Sequence, residues 1–278
     1  MNKIIHPSKI STAVIILTYN EELHIKRCIE SIKDIVDEIF VVDSYSSDQT
    51  LDICKKYKKI KIFKHKFINQ AMQMNWALKT LKIKSNWIFR LDADEYLTKN
   101  SKKIFKDQLK KHSLNKGLIL KRKIKFLNKI INYGLTSPHK TLRIWKNKNG
   151  KYKNELVDEQ IIIKGKISET DLVLIDHNLK GINFWIKKHI NYAKREALEY
   201  KKNLKQNRSN KDFSKINKLN KYKTYYKFPI IIRPFLLFSY SYFIKLGFLT
   251  GIQGLFFYLF QTLIYRLIVD FYILKNKF

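Results

Sequence analysis

Short, uninterrupted runs of β-branched and apolar residues alternate with helix-like segments over the first 95 residues. The runs are Thr12–Thr18, Glu38–Asp43, 60–63 and 87–91, and the last helix-like segment is 70–81. Continuous apolar strands separated by helices are typical of a parallel sheet that is covered by helices on its faces. We therefore expect an α/β fold that is built from right-handed βαβ units.

Polar residues follow three of these strands at the point where each strand ends. The three polar segments are residues 18–22, 43–48 and 92–95, and we call them together the polar rim. In an open parallel sheet, ligands bind beyond the carboxyl ends of the strands. The sequence thus predicts a ligand site at one edge of the sheet. Asn20 is also expected to cap the helix that follows the first strand.

The segment Asp92-Ala93-Asp94 places two carboxylates directly after a buried strand. Because side chains of extended residues alternate between faces, Asp92 and Asp94 should point the same way and Ala93 the opposite way. Two converging carboxylates favour a hard divalent cation, Mg²⁺ or Mn²⁺, which completes its shell with water and substrate phosphates. A solvated acidic turn is the alternative for an isolated pair of this kind. The other two segments of the polar rim favour the metal–phosphate site.

The positive charge is concentrated in the middle of the chain. The formal net charge is +33, and residues 99–153 carry 18 basic side chains against one acidic side chain. An AT-rich genome explains part of this excess, because lysine, isoleucine and asparagine are all abundant. Nucleic-acid binding and attraction to an anionic membrane leaflet are the two functional explanations. The basic stretch leads toward the most apolar part of the chain. We therefore expect an anionic membrane surface as a partner, and no nucleic acid.

The C-terminal region is apolar and aromatic from residue 228 onward. The uncharged run 246–265 is long enough for a membrane-spanning helix. Its three glycines and two glutamines weaken that interpretation. The flanking prolines and charges favour helices that lie in the membrane interface. A buried helical hairpin is the alternative.

We predict three regions, a catalytic domain over 1–205, a basic linker over 206–227 and an apolar helical region over 228–278. The chain has two cysteines, and its N-terminus shows no signal-peptide pattern. We therefore expect a chain that faces the cytoplasm, in a peripheral or monotopic position on a membrane.

About the first hundred residues resemble the family 2 glycosyltransferases with a GT-A fold, in the branch that acts in lipopolysaccharide core synthesis. Four segments carry the resemblance in order and spacing: 14–22, 41–50, 73–78 and 87–95. It continues more loosely through 142–145, 156–159, His177, 233–234 and 247–254. The resemblance implies a Rossmann-like, mostly parallel sheet flanked by helices, followed by a C-terminal apolar, helical region that associates with the membrane.

The same resemblance implies a nucleotide-sugar donor, namely a UDP-sugar, and a divalent metal. Carried over, the donor would be held by Thr18, Tyr19, Asn20, Glu22, Asp43, Ser46, Asp48, Gln73, Asn75, Asp92 and Ala93. The metal would be held by Asp92 and Asp94, and His177 would approach it or the diphosphate. A lone histidine is more often structural, so both interpretations of His177 stay open. Lys121, Arg122 and Arg143 are further candidates for phosphate contacts.

An inverting transfer needs a base that takes a proton from the acceptor hydroxyl. The family places an acidic residue well after the Asp-x-Asp segment, and Glu159 is our first candidate and Asp158 our second. The branch tends to have His-Glu where this chain has Asp158-Glu159, and a solvated surface carboxylate is the alternative for each residue. The implied acceptor is a lipid-linked glycan such as lipopolysaccharide core, and the implied sugar is glucose or another hexose.

Two other functions compete with glycosyl transfer. A nucleotidyltransferase on a similar sheet would want a glycine- and lysine-rich phosphate loop near the first strand, and residues 18–22 contain neither residue type. A basic protein that binds membrane or nucleic acid without catalysis would explain the charge. It would give no reason for three polar segments in register.

Overall fold

The computed structural model describes residues 10–153, 161–209 and 225–275. The chain divides into two compact units, which are described separately. The first comprises Met1–Ile124 and His139–Leu179, and the second comprises Lys125–Pro138 and Lys180–Phe278. The domain boundaries expected at residues 205 and 227 stay predictions.

Strands and helices alternate through the first part of the chain, as the sequence predicts. The helices are α1 Ile25–Ile32, α2 Thr50–Lys55, α3 Gln70–Thr80 and α4 Lys99–Lys111. The strands are β1 Thr12–Thr18, β2 Glu38–Asp43, β3 Ile60–Lys64, β4 Trp87–Asp92, β5 Glu95–Leu97, β6 Gly117–Phe126, β7 Lys129–Ile130, β8 His139–Lys146, β9 Gly150–Tyr152, β10 Ile161–Ile163 and β11 Ile167–Asp176.

The main sheet has the strand order β3-β2-β1-β4-β8-β6-β11-β5. Strands β1 to β4 are mutually parallel, β8 is antiparallel to both of its neighbours, and β11 is parallel to β6. The register pairs Thr18 with Asp43 and Leu17 with Asp92. The ends of β1, β2 and β4 therefore lie side by side, which confirms the expected common edge.

Helices cover both faces of the parallel part of the sheet. On one face, apolar residues of α1, α2 and α4 such as Ile29, Cys54 and Phe105 pack on the strands. On the other face, α3 contributes Met74 and Ala77. The strands are buried on both sides, which is why they read as continuous apolar runs.

Three local features differ from the sequence predictions. Helix α4 and strand β11 were not expected, since their lysine-rich and mixed compositions hide the periodicity. Asn20 does not cap α1, because the residue that precedes this helix is His24. Asn20 instead adopts a left-handed conformation with φ of 53° and bonds to the loop after β2, as described below.

The second unit is mainly helical. Its α-helices are α5 Gly181–Ser209, α6 Ile232–Ser239, α7 Ile252–Tyr258 and α8 Tyr265–Lys275, with π-helical turns at Tyr240–Ile244 and Leu259–Ile264 and a 3₁₀ turn at Gly247–Thr250. The uncharged run 246–265 is not one helix, because Leu246 (φ 60°) and Gly251 (φ 81°) break the helical path. By length and composition, the continuous helical stretch Ile252–Lys275 could cross a membrane.

Charged side chains of the second unit pair with one another in its interior. Arg233 of α6 bonds through Nε to Asp270 of α8 at 3.0 Å, and both residues are buried. Arg266 donates to Glu196 of α5, which also accepts from the Tyr265 hydroxyl at 2.6 Å. These pairs fix α5 and α6 against α8.

Candidate active site

Asp43 lies at the end of β2 in a cradle of hydrogen-bond donors. Its carboxylate accepts from Thr18 Oγ1 at 3.0 Å, from the Ser46 backbone N–H at 2.8 Å and from Ser46 Oγ at 2.5 Å. The residue is fully buried. Two ends of neighbouring strands and the turn after β2 thus fix the orientation of one carboxylate at the polar rim.

Asn20, Glu22 and Asp48 join the loop after β1 to the loop after β2. Asn20 Oδ1 accepts from the Ser47 N–H at 2.8 Å, and the Asn20 N–H donates to Ser46 Oγ at 2.9 Å. The Glu22 N–H donates to Asp48 Oδ2, and Glu22 Oε2 accepts from the Gln49 N–H, both at 3.0 Å. The structure therefore brings these predicted residues together, as a reciprocal clamp between the two loops.

Two tyrosines on these loops expose their rings to solvent. Tyr19 follows β1 directly and Tyr45 lies in the turn after β2, and each is 59% exposed. Tyr45 adopts a left-handed backbone conformation with φ of 62°. Only Tyr19 was predicted as a site residue. Tyr45 was missed, although its place between Ser44 and Ser46 of the polar rim was a usable signal.

Gln73 and Asn75 of α3 use their amides within the fold. Buried Gln73 donates to Ser44 Oγ at 3.1 Å and accepts from His65 Nδ1 at 2.6 Å. Asn75 pairs with both backbone groups of Tyr152, at 2.8 and 2.9 Å. Gln73 thus supports the loop after β2, and Asn75 anchors β9. Donor contacts by these two residues stay a prediction.

Asp92, Ala93 and Asp94 show the expected alternation. Ala93 is 3% exposed and packs in the core, whereas Asp92 and Asp94 are both partly exposed. Asp92 Oδ1 accepts from Arg90 Nη2 at 3.2 Å, and Asp92 Oδ2 accepts from Arg143 Nη2 at 2.9 Å. The charge of Asp92 is therefore balanced by two guanidinium groups that the sequence did not predict as its partners.

A second carboxylate, Glu95, shares Arg143 with Asp92. Glu95 is 1% exposed, accepts from Arg143 Nη2 and accepts from the Asp92 backbone N–H at 3.1 Å. Arg122 lies 3.6 Å from Glu95 and 3.7 Å from Asp176. Arg143 was predicted only as a phosphate contact, and Glu95 was not a candidate. Their pairing depends on strand β8 lying beside β4, for which no local motif exists.

The electrostatics of this cluster follow from burial and from the arginines. Burial alone would raise the pKa of Asp92, but the charges of Arg143 and Arg90 hold it well below its usual range. Burial raises the pKa of Glu95 more than the charge of Arg143 lowers it, and neighbouring Asp92 raises it further. The cluster therefore keeps Asp92 ionised and makes the ionisation of Glu95 costly.

His177 lies beside the Asp-x-Asp turn. Its backbone N–H donates to the Asp94 carbonyl at 3.1 Å. Arg27 of α1 donates to His177 Nδ1 at 2.8 Å and to its carbonyl at 2.6 Å, and the Arg27 guanidinium lies 4.6 Å from the Tyr96 ring centroid. A guanidinium only donates, so Nδ1 accepts and a neutral ring carries its proton on Nε2.

A second contact holds the same segment to the start of α1. The Leu179 backbone N–H donates to His24 Nε2 at 2.7 Å, and His24 Nδ1 lies 2.6 Å from Glu21 Oε2. Because Nε2 accepts, the proton of a neutral His24 lies on Nδ1, where it donates to Glu21. Arg27 and His24 together position residues 177–179 next to the polar rim.

The two candidates for the catalytic base, Asp158 and Glu159, lie outside the described residues. Their assignment stays a prediction from the sequence.

The sequence of this chain matches the model of one known family. The model of the glycosyl transferase family 2 matches residues 13–160. The chain belongs to the glycosyl transferase family 2. The predicted family and its α/β GT-A fold class, with a mostly parallel sheet and a helical apolar C-terminal region, are confirmed.

Several curated proteins resemble parts of this family 2 chain. It is 37% identical over 99 residues to the glycosyltransferase SunS of Bacillus subtilis, a match that covers 31% of this chain and 21% of SunS. It is 27% identical over 168 residues to the lipopolysaccharide core biosynthesis glycosyltransferase LpsC of Rhizobium meliloti, covering 57% of this chain and 60% of LpsC. The chain thus spans between about a fifth and three fifths of the length of these relatives.

Solved structures with a similar fold include residues 1–349 of TarS from S. aureus in complex with UDP-GlcNAc. That chain is 19% identical, with a TM-score of 0.45, and the match covers 68% of this chain and 66% of the other.

The donor atoms near the Asp-x-Asp turn fit a divalent cation only in part. The described residues contain no group of three or more His, Cys, Asp and Glu side chains that could hold a metal ion. Asp92 and Asp94 supply hard oxygen atoms, which suits an ion that takes one or two carboxylates and completes its shell with phosphates. His177 would ligate through Nε2 only if its proton moved to Nδ1, which requires Arg27 to leave Nδ1. The metal-ligand role of His177 stays a prediction.

Replacing Arg143 by methionine should destabilise this family 2 glycosyltransferase by about 3–5 kcal/mol near pH 7, because it leaves Asp92 and Glu95 without their shared cation. In the native chain, the pKa of Asp92 is lower than in the unfolded chain. The resulting stabilisation of the fold is fully present at pH values above the unfolded pKa. This stabilisation is lost as the pH falls through the lower folded pKa. In Arg143→Met, both carboxyl groups should protonate more readily, so the deficit should shrink when the pH falls to about 5. Urea unfolding at both pH values measures this.

The matched control is Arg195→Met, since Arg195 is exposed on α5. It should change the free energy of unfolding by less than about 0.5 kcal/mol. A deficit of Arg143→Met that is the same at both pH values would contradict the assigned electrostatics.

Proposed function

We propose that the protein is an inverting glycosyltransferase that moves glucose or another hexose from a nucleotide diphosphate to a lipid-linked glycan such as lipopolysaccharide core. The observation that carries this proposal is the polar rim, where the Asp43 cradle and the Asp92–Arg143 pair lie at one edge of a family 2 domain. The similarity to LpsC supports the class of acceptor.

The loops after β1 and β2 are suited to the nucleoside part of the donor. Because Asp43 is fully buried, it would act on the donor by fixing Thr18 and Ser46. The exposed rings of Tyr19 and Tyr45 offer flat surfaces on which a base can stack. The clamp of Asn20, Glu22 and Asp48 holds these groups in place before the donor binds.

The diphosphate would lie at the Asp-x-Asp turn. Asp92 and Asp94 would hold Mg²⁺ or Mn²⁺ there, and such an ion supplies Lewis-acid stabilisation of the leaving diphosphate. Arg143 keeps Asp92 ionised and oriented. A His177 ring that carries its proton on Nε2 is a hydrogen-bond donor for phosphate oxygen. Glu159 or Asp158 would take the proton of the acceptor hydroxyl as this oxygen attacks the anomeric carbon.

The second unit supports association with an anionic membrane. Between residues 228 and 256, thirteen large apolar side chains are at least 40% exposed, among them Ile231, Phe243 and Ile244. We call these exposed side chains the apolar face. The same stretch contains no acidic residue, and its two basic residues are buried Arg233 and exposed Lys245. We place this face in the lipid interface at the cytoplasmic side of the inner membrane, in a peripheral or monotopic position.

Asp94→Asn should lower kcat/KM for metal-dependent turnover of a UDP-sugar by about 100-fold or more, because it removes a hard ligand of the ion that stabilises the leaving group. The control is Asp107→Asn on α4, whose carboxylate is 77% exposed, and its activity should equal that of the native chain. Turnover is measured by the release of UDP over a range of Mg²⁺ or Mn²⁺ concentrations. Full activity of Asp94→Asn would refute the metal assignment.

Glu159→Gln should lower kcat by about 10²–10⁴-fold, because a neutral amide cannot accept the acceptor's proton. Donor affinity, measured by titration with UDP, should stay unchanged. Asp158→Asn is the comparison, and it should retain most of its kcat. A loss confined to Asp158→Asn would assign the base to Asp158, and full activity of both variants would contradict a base in this segment.

Phe243→Ser combined with Ile244→Ser should weaken binding to vesicles that contain anionic lipid by about tenfold or more, since two exposed apolar side chains no longer enter the interface. Ile162→Ser combined with Ile167→Ser removes two comparably exposed side chains from the first unit and should leave binding unchanged. Co-sedimentation with vesicles measures both. Equal binding of the two double variants would count against the apolar face.

A further inference from the structure

Four lysines line a cleft of about 490 Å³ in the first unit. The cleft is formed by three segments, namely the loop before β4, the loop between α4 and β6, and the turn between β8 and β9. Lys84, Lys116, Lys146 and Lys148 line it, together with serine and asparagine residues and Leu114, and none of the described residues that line it is acidic. We call this feature the lysine cleft.

The lysine cleft is far from the polar rim. Lys146 pairs with Trp87 at the start of β4, whereas Asp92 ends the same strand. Five residues of extended chain span about 17 Å. The cleft is therefore at the opposite end of β4 from the Asp-x-Asp turn and is a separate site.

Hydrogen bonds hold the three segments in a fixed arrangement. The Lys146 N–H donates to the Lys116 carbonyl at 3.0 Å, and the Asn147 N–H donates to the Asn86 carbonyl at 2.8 Å. The Asn147 side chain donates to the carbonyls of Ile83 and Ser85, at 3.2 and 3.1 Å. The frame of the cleft is thus fixed by contacts within the fold.

Contacts with neighbouring residues hold two of the lysine side chains in position. The Lys146 ammonium lies 4.1 Å from the ring centroid of buried Trp87. The stem of Lys116 packs on Gly165, where a Cβ atom would come within 2.5 Å of Lys116 Cγ. Gly165 also has a φ of 125°, which disfavours any other residue. The positions of both lysines are thus built into the fold.

Among the described residues, no carboxylate forms a salt bridge with any of the four lysines of the cleft. Burial together with the charge of Lys116 lowers the pKa of Lys146. Glu38 Oε2 accepts hydrogen bonds from the Lys84 backbone N–H and from Ser85 Oγ. Glu38 Oε1 lies 3.7 Å from Lys61 Nζ. Several ammonium groups that repel one another favour a ligand with more than one negative charge.

We propose that the lysine cleft binds a phosphate group with at least two negative charges, as in a diphosphate or a phosphomonoester, at a site distinct from the donor site. Lysine ammonium groups bind phosphate as point charges, and the serine and asparagine groups of the cleft add neutral polar contacts. The phosphate could be carried by a soluble molecule or by a lipid head group. Both sources present the same chemistry to the cleft.

Lysine acetylation of the full chain, read by mass spectrometry at low ionic strength, tests this proposal. Inorganic pyrophosphate should slow the acetylation of Lys116 and Lys146 by about fivefold or more, and salt should reverse this protection. Exposed Lys103 and Lys106 of α4 are the internal controls and should show no protection. Vesicles that contain phosphatidic acid, compared with vesicles of phosphatidylcholine alone, form the second arm.

Protection by pyrophosphate alone supports a soluble ligand, and protection by phosphatidic acid supports a lipid head group. Protection of neither lysine in either arm, or equal protection of the α4 controls, overturns the proposal. The footprint is read without a donor sugar, so its outcome is independent of the proposed glycosyl transfer.

A pair of variants provides a second measurement. Lys116→Gln combined with Lys146→Gln should weaken pyrophosphate binding, measured by calorimetry with UDP present, by about tenfold. Lys103→Gln combined with Lys106→Gln makes the same change in net charge and should leave the binding unchanged. Turnover of the UDP-sugar should be the same in both variants. Equal weakening in both would show a diffuse effect of charge and overturn the proposal.

Discussion

The Asp-x-Asp segment of the polar rim depends on one buried arginine. Arg143 contacts Asp92 and Glu95 at the same time, and it comes from β8, which lies antiparallel beside β4. Two carboxylates this close in a buried site would otherwise repel each other and would lose part of their hydration. Since Asp92 is held through both oxygens, by Arg90 and Arg143, its carboxylate has a fixed orientation at the strand end.

The same arrangement explains which parts of the site were predictable from the sequence. Asp43 and Asp92 follow buried parallel strands, and the topology of such sheets brings strand ends together without further information. The contacts of Arg143 with Asp92 and with Glu95 were not predictable, because they join residues about fifty positions apart across an antiparallel strand. Arg27 was missed for the same reason, since its contact with His177 links α1 to the end of β11.

Secondary structure shows the same division between local and distant causes. The first four strands were predicted nearly to the residue, because burial on both faces produces uninterrupted apolar runs. Strand β11 was missed because its first half, Ile-Ser-Glu-Thr-Asp, is polar and pairs with the distant strand β6. Asn20 was assigned to a cap by its residue type, yet its left-handed backbone lets the side chain meet Ser47 instead.

The charge distribution is informative only when its partners are known. In the second unit, Arg233 and Arg266 are paired with Asp270 and Glu196, so these arginines are satisfied within the fold. In the first unit, arginines next to carboxylates set the ionisation of Asp92, whereas the four lysines of the cleft lack carboxylate partners in the described structure. A net charge of +33 therefore combines groups with different roles. The arginines maintain the geometry of the polar rim, and the unpaired lysines are the groups available to an anionic ligand.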